Sequence, residues 1–235
     1  MLLAPCIRSS RAGGQDWQWA VSGGLTREPV IGLLDLPEIV GEACAPSAPL
    51  RVNVYDSPSN ARPATRSIEP VRDGNCQVVV RRVENSSEEQ LPTDESGYEI
   101  PAAIVYQRSA LWFRIALQQG SAWIARDDPN TFLSYPELLN DRLSYLRKGW
   151  DGRLWDTPGA SATKPLPPRW TSYADDNIPL EFLGVRLVGG ARWIHVRVET
   201  NSCGESLDGV TPVEGWLPAY RSSGQTSAWF HSRGC

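Results

Sequence analysis

Apolar residues along this chain recur at short range, in stretches of four to eight separated by Gly, Pro, Ser and Asp. That spacing is the signature of strands and turns more than of helices. Val52, Val54 and Tyr55 open one such stretch, and Ser57-Pro58-Ser59-Asn60 turns it. Cys76 to Val80, Ala103 to Tyr106, Leu111 to Leu117 and Ala122 to Ala125 predict further strands. So do Leu180 to Val188, Trp193 to Thr200, Gly215 to Tyr220 and Thr226 to Phe230, with Gly189-Gly190 as a hairpin turn. Asn85 to Gln90 reads as an acidic polar loop, and Ala160 to Trp170 as a second loop rich in Pro, Ser and Thr.

Helical signal is confined to one place. Ser134-Tyr135-Pro136-Glu137 fits a capping box with Pro in the first turn. Leu139, Leu143 and Leu146 then share a face at helical spacing, and Gly149 offers a stop, so about three turns are expected. Before residue 49 the pattern is less regular. Gln15 to Val21 alternates, and Ile31 to Val40 is apolar but interrupted by Pro37.

The strand pattern repeats. Tyr55-Asp56-Ser57-Pro58 returns as Trp155-Asp156-Thr157-Pro158, and Trp112 to Leu117 returns as Trp193 to Val198. A second Trp strand follows each, at Trp123-Ile124-Ala125 and Trp216-Leu217-Pro218-Ala219. The same elements in the same order twice predict two copies of one small β unit. The expected organisation is an N-terminal extension over 1–48, a first unit over 49–133, a linker helix over 134–149 and a second unit over 150–235.

Composition narrows the function. Ten Trp and seven Tyr stand against one Met, and Trp and Tyr suit both small cores and shallow recognition surfaces. The net charge of −4 carries no electrostatic footprint for nucleic acid. No run of about 18 apolar residues is present to span a membrane. Met1 to Cys6 is too short for a secretory signal and reads as the stub of one, with a lipidated Cys6 as a weaker alternative because Pro5 precedes it. Only Lys148 and Lys164 are lysine among 23 basic residues, a bias that points to a GC-rich bacterial genome.

The five cysteines include no C-x-x-C pair, and with His195 and His231 the only histidines, neither a metal nor a cofactor is expected. Cys44 and Cys76 bracket the first strand region, and Cys203 and Cys235 the last. One disulfide per unit is the economical pairing of the three that four cysteines allow, with Cys6 left over. Such bridges would place the protein in the periplasm or outside the cell; buried thiols in a reducing compartment are the competing reading.

The strings Trp193-Ile194-His195-Val196 and Gly215-Trp216-Leu217 resemble the two central strands of bacterial SH3-like domains of cell-envelope proteins. In the first copy Trp112-Phe113-Arg114-Ile115 fits, while Ser121-Ala122-Trp123-Ile124 replaces the Gly-Trp pair with a gap. The resemblance covers about two thirds of the chain. It implies an all-β protein of two tandem, partly open SH3-like barrels that bind peptidoglycan or an envelope protein without catalysis.

Aromatic side chains at strand ends and loops then become the expected binding face: Tyr55, Tyr106, Trp155, Tyr173 and Tyr220. Asp56 and Asp156, placed alike in the two copies, would receive ligand amines or hydroxyls, or else cap their own Ser-Pro and Thr-Pro turns. His195, two residues from both Trp193 and Arg197, shares their face by alternation. Two other classes stay open. His231-Ser232-Arg233-Gly234-Cys235 superficially resembles the nucleophile segment of L,D-transpeptidases, which makes a cell-wall enzyme built on Cys235, His231 or His195 the catalytic alternative. Against it, Cys235 ends the sequence, where a carboxylate would oppose a thiolate. A structural periplasmic adaptor is the third class.

Overall fold

A computed structural model describes residues 27–36, 51–59, 61–70, 78–98, 100–126, 131–140, 142–147, 150, 152–161, 163–165, 178–198 and 211–232. The apolar run after residue 30 becomes strand β1 (Gly32–Asp35), and its lack of alternation has a cause. Leu33 faces one hydrophobic core and Leu34 the other. The strand beside it, β7 (Ile100–Ser109), is divided in the same way, with Ala102 in one core and Ala103 and Val105 in the other. A strand with both faces buried reads as a continuous apolar run.

The sheet built on these two strands also holds β8 (Trp112–Ala116), β9 (Ser121–Ala125) and β10 (Phe132–Ser134), in the order β10-β1-β7-β8-β9. Strand β6 (Thr93–Gly97) pairs with β7 off that path. A second sheet of four strands, β2 (Val52–Val54), β3 (Arg66–Pro70), β4 (Val78–Arg82) and β5 (Glu88–Gln90), contributes Val52, Val54, Ile68, Val78 and Val80 to the core under Phe113 and Ile115. Strand β5 occupies the stretch expected as an acidic loop, because Glu88 to Gln90 pair with Val79 to Arg81 and Glu88 bonds Arg81 at 2.6 Å.

The third sheet runs β13 (Thr163–Pro165), β12 (Arg153–Trp155), β16 (Val213–Pro218), β15 (Ala191–Val198), β14 (Ile178–Val188), β11 (Ser144–Leu146) and β17 (Ala228–Phe230). Gly189 and Gly190, at φ +58° and +78°, make the two-residue hairpin turn between β14 and β15 that the sequence predicts. All three sheets are antiparallel, so the protein is all-β. Among the described residues none of the three sheets closes into a barrel.

The helix α1 (Tyr135–Leu139) carries the expected capping box, with the Ser134 amide donating to Glu137 Oε2 at 2.8 Å. It is five residues long where three turns are expected. Leu146, whose spacing suggested a helical face, lies in β11 instead, where Ser144 and Leu146 pair with Leu180 and Ile178 of β14. Backbone pairing on both sides of β11 prevails over a leucine spacing that also suits a short strand. Strand pairing thus puts Gly32–Asp35 inside the first sheet and Ser144–Leu146 inside the third.

Seen strand by strand, the sequence repeat is a repeat of pairing. Strands β1, β2, β3, β7, β8, β9 and β10 correspond in order to β11, β12, β13, β14, β15, β16 and β17. Trp112 pairs with Ser109, Arg114 with Gln107 and, beyond a register shift that skips Tyr106, Ile115 with Val105. Trp193 pairs with Arg186, His195 with Gly184 and, beyond a shift that skips Leu183, Val196 with Phe182. An extra residue at the same place in both copies is a feature of the unit, since a bulge bends its strand and re-aims one side chain.

Candidate functional site: a duplicated aromatic face

Period-two alternation on β8 and β15 sends Phe113, Ile115, Ile194 and Val196 into the cores, where they are buried. The opposite faces carry Trp112 and Arg114 in the first copy and Trp193 and His195 in the second. The next strand adds a second tryptophan at the same register, Trp123 opposite Arg114 and Trp216 opposite His195. The turn strand then adds the ring the sequence singles out. Tyr55 bridges Trp123 through two backbone hydrogen bonds of 2.8 Å, and Trp155 pairs with Trp216. Tyr55 meets Trp112 edge to face at 5.2 Å and 83°, and Trp155 meets Trp193 at 5.4 Å and 76°. Each copy therefore presents the same three rings, held by strands on every side.

Of the six rings, Trp193 is 9% exposed and the other five are half-buried. T-shaped pairs of this kind hold each ring in one orientation, so the surface they form is fixed in shape. In the second copy Trp216 is stacked on His195 at 4.6 Å and 13°, with the Arg186 guanidinium 5.0 Å from its centroid. Burial pulls the His195 pKa below its ordinary value, opposed by Glu214 and reinforced by Arg186 and Arg197. The imidazole is therefore neutral near pH 7 and acts as a flat partner for the indole. Next along β15, Arg197 pairs with Glu214 at 2.7 Å and with Glu181, closing this face with an ion network. In the first copy Arg114 takes the place of His195 and pairs with Glu28 at 2.8 Å.

The carboxylates read as ligand acceptors have other engagements. Asp56 accepts from Thr65 Oγ1 at 3.1 Å and from Arg66 at 2.8 Å, tying the turn to the start of β3 in place of the Ser-Pro cap. Asp156 is exposed at the matching turn of the second copy. Tyr220 is committed elsewhere, its hydroxyl donating to the Val30 carbonyl at 3.0 Å and its ring lying 5.6 Å from Tyr135. Tyr106 is the bulge residue of β7 and leaves the Tyr55 face for a cleft beside Trp229. Tyr173 and all five cysteines, Cys6, Cys44, Cys76, Cys203 and Cys235, lie outside the described residues, and with them both expected disulfides and the Cys235 nucleophile of the catalytic alternative; of its candidate bases, His195 is stacked on Trp216 and His231 lies 4.4 Å from the Tyr145 ring.

The sequence reading therefore names one ring of each face, Tyr55 and Trp155, and passes over Trp112, Trp123, Trp193 and Trp216. Their signal is the repeat itself, which keeps an indole at the same register on the face opposite Phe113, Ile115, Ile194 and Val196, although Trp193 is almost fully buried there. Among the described residues no group of three or more His, Cys, Asp and Glu is placed to hold a metal ion. Nor, among them, is any helix long and apolar enough to cross a membrane. No protein-family model, curated protein or solved structure matches the chain.

Proposed function

We propose that this protein is a non-enzymatic binding module of the bacterial cell envelope, two SH3-like units that grip peptidoglycan or an envelope protein through their aromatic faces. The observation that carries the reading is the duplicated triad: Tyr55, Trp112 and Trp123 in one copy, Trp155, Trp193 and Trp216 in the other. Two like faces on one chain favour a repeating ligand, because the second contact forms at high effective concentration once the first is made. Rigid rings lose little entropy on binding, and stacking suits the flat apolar faces of sugar rings as well as peptide side chains. The envelope is supported by the resemblance of the two Trp strands to SH3-like domains and by the periplasmic expectation from cysteine spacing.

Co-sedimentation with purified peptidoglycan sacculi tests this. Saturable binding is expected, weakened about tenfold by Trp216→Ala and more by Trp216→Ala with Trp123→Ala, at unchanged circular dichroism. Wild-type protein that stays in the supernatant removes peptidoglycan as the ligand. Undiminished binding by the double variant removes the aromatic faces as the site.

A further inference from the structure

Where the two copies meet, the contacts are specific. The Tyr135 hydroxyl donates to the Ala228 carbonyl, Arg142 donates to the Ser96 carbonyl, and Ser232 donates to Glu95 Oε2 at 2.6 Å. Gly224 lies against the backbone of residue 27 so closely that a Cβ there would sit 2.3 Å from the Arg27 carbonyl oxygen. Beside this joint the surfaces part and leave a cleft of about 620 Å³. That volume is in the range of small-ligand sites, roughly 300–1,000 Å³.

The cleft is walled by two rings, Tyr106 and Trp229, and by two cations and two carboxylates, Arg27, Arg147, Glu28 and Asp94. Its charges are not matched to one another. Glu28 is already paired with Arg114 at 2.8 Å. Asp94 accepts from the amide of Glu95 at 2.9 Å. Arg147 has no carboxylate partner among the described residues, and its Nε is buried with nothing to bond. Its guanidinium lies 4.8 Å from the Trp229 centroid. Its backbone is fixed at both ends, the amide donating to Ser227 and the carbonyl accepting from Arg221. A guanidinium over an indole, on the wall of an open cleft and without a carboxylate partner among the described residues, suits a ligand carboxylate.

We infer that this cleft binds the free C-terminal carboxylate of a short peptide, on Arg147 with Arg27 beside it, the peptide body lying against Trp229 and Tyr106. Asp94, on the same wall, receives the amine of a very short peptide. The bulge in β7 is what brings Tyr106 to this wall, so a feature common to both copies serves the joint in the first. This site is distinct from the aromatic faces and stands without them.

Calorimetric titration with Ala-Phe dipeptide and with its C-terminal amide tests the assignment on the full chain. Saturable heat is expected with the free acid and at least about tenfold weaker binding with the amide, the usual share of one charge-assisted bond pair. Arg147→Met, which keeps the stem on Trp229, is expected to lose the same factor at an unchanged urea midpoint, and Arg147→Lys to recover part of it. Trp216→Ala is expected to leave this binding intact. Equal affinity for acid and amide, equal affinity in Arg147→Met, or no saturable heat with the free acid overturns the inference. Loss of binding in Trp216→Ala overturns it too, since the dipeptide would then sit on the aromatic face.

Discussion

Tyr135 lies fully buried at the start of α1, and its hydroxyl serves both peptide groups of one residue. It donates to the Ala228 carbonyl at 2.9 Å and accepts from the Ala228 amide at 3.3 Å. Its ring is stacked on Trp229 at 5.9 Å and 19°. Tyr135→Phe keeps the ring and removes only the oxygen, leaving a buried N–H and a buried C=O on β17 without partners. Each orphaned group costs about 1–3 kcal/mol, the longer contact at the lower end, so a loss of about 2–3 kcal/mol is expected. Tyr220→Phe is the internal control. It removes one part-buried bond and leaves a single carbonyl, of Val30, to find another partner, so about 1 kcal/mol is expected. Urea unfolding followed by circular dichroism and by Trp fluorescence measures both, as a shift in midpoint at constant m-value. A loss below about 1 kcal/mol in Tyr135→Phe, or one no larger than in Tyr220→Phe, refutes the assignment of that oxygen as a shared bond to β17.

The same geometry fixes two further outcomes. Burial holds the pKa of both His195 and His231 below the ordinary 6.5, so the folded chain binds fewer protons than the unfolded one. The stability they contribute is complete above about pH 6.5 and falls as pH drops toward the lowered values. The urea midpoint should therefore decline from about pH 7 to about pH 5, less steeply in His195→Gln, and a midpoint flat through that window contradicts the reading. Gly224→Ala adds a Cβ against Arg27 at a residue with φ +82° and is expected to cost about 2 kcal/mol or more in the same unfolding assay. A variant as stable as the parent would show that the turn can withdraw from residue 27 freely.

How much of the fold is legible in the sequence depends on which physical signal each segment carries. Trp112 to Ala116 and Trp193 to Val198 alternate because one face of each strand is core and the other is not, so both strands and their likeness can be read directly. The capping box is legible because it is a local motif, and it is present at Ser134 and Glu137. The length of α1 is not, since Leu146 satisfies a helical spacing and a strand alternation equally, and only pairing with Ile178 decides. Gly32–Asp35 reads as an extension because a strand buried on both faces loses its period. Of the expected site, Tyr55 and Trp155 are brought to matching places, whereas Tyr220 and Asp56 are held by Val30, Thr65 and Arg66. Partners 9 to 190 residues away leave no trace in local pattern.

The two cores are not completed in the same way. The first is roofed by the β2-β3-β4-β5 sheet from its own half, while the second includes Leu33 and Ala102 from the other half of the chain. During synthesis, which proceeds from the N-terminus, the first half can therefore close on itself before the second has emerged. Until then the back of β1 and β7 stays bare, a sticky surface that also serves as the mould for the second half. The two halves are unequal as parts: a fragment ending near residue 140 keeps a finished core with an adhesive back, and one starting there lacks a wall. They relate less as beads on a string than as a casting and its die.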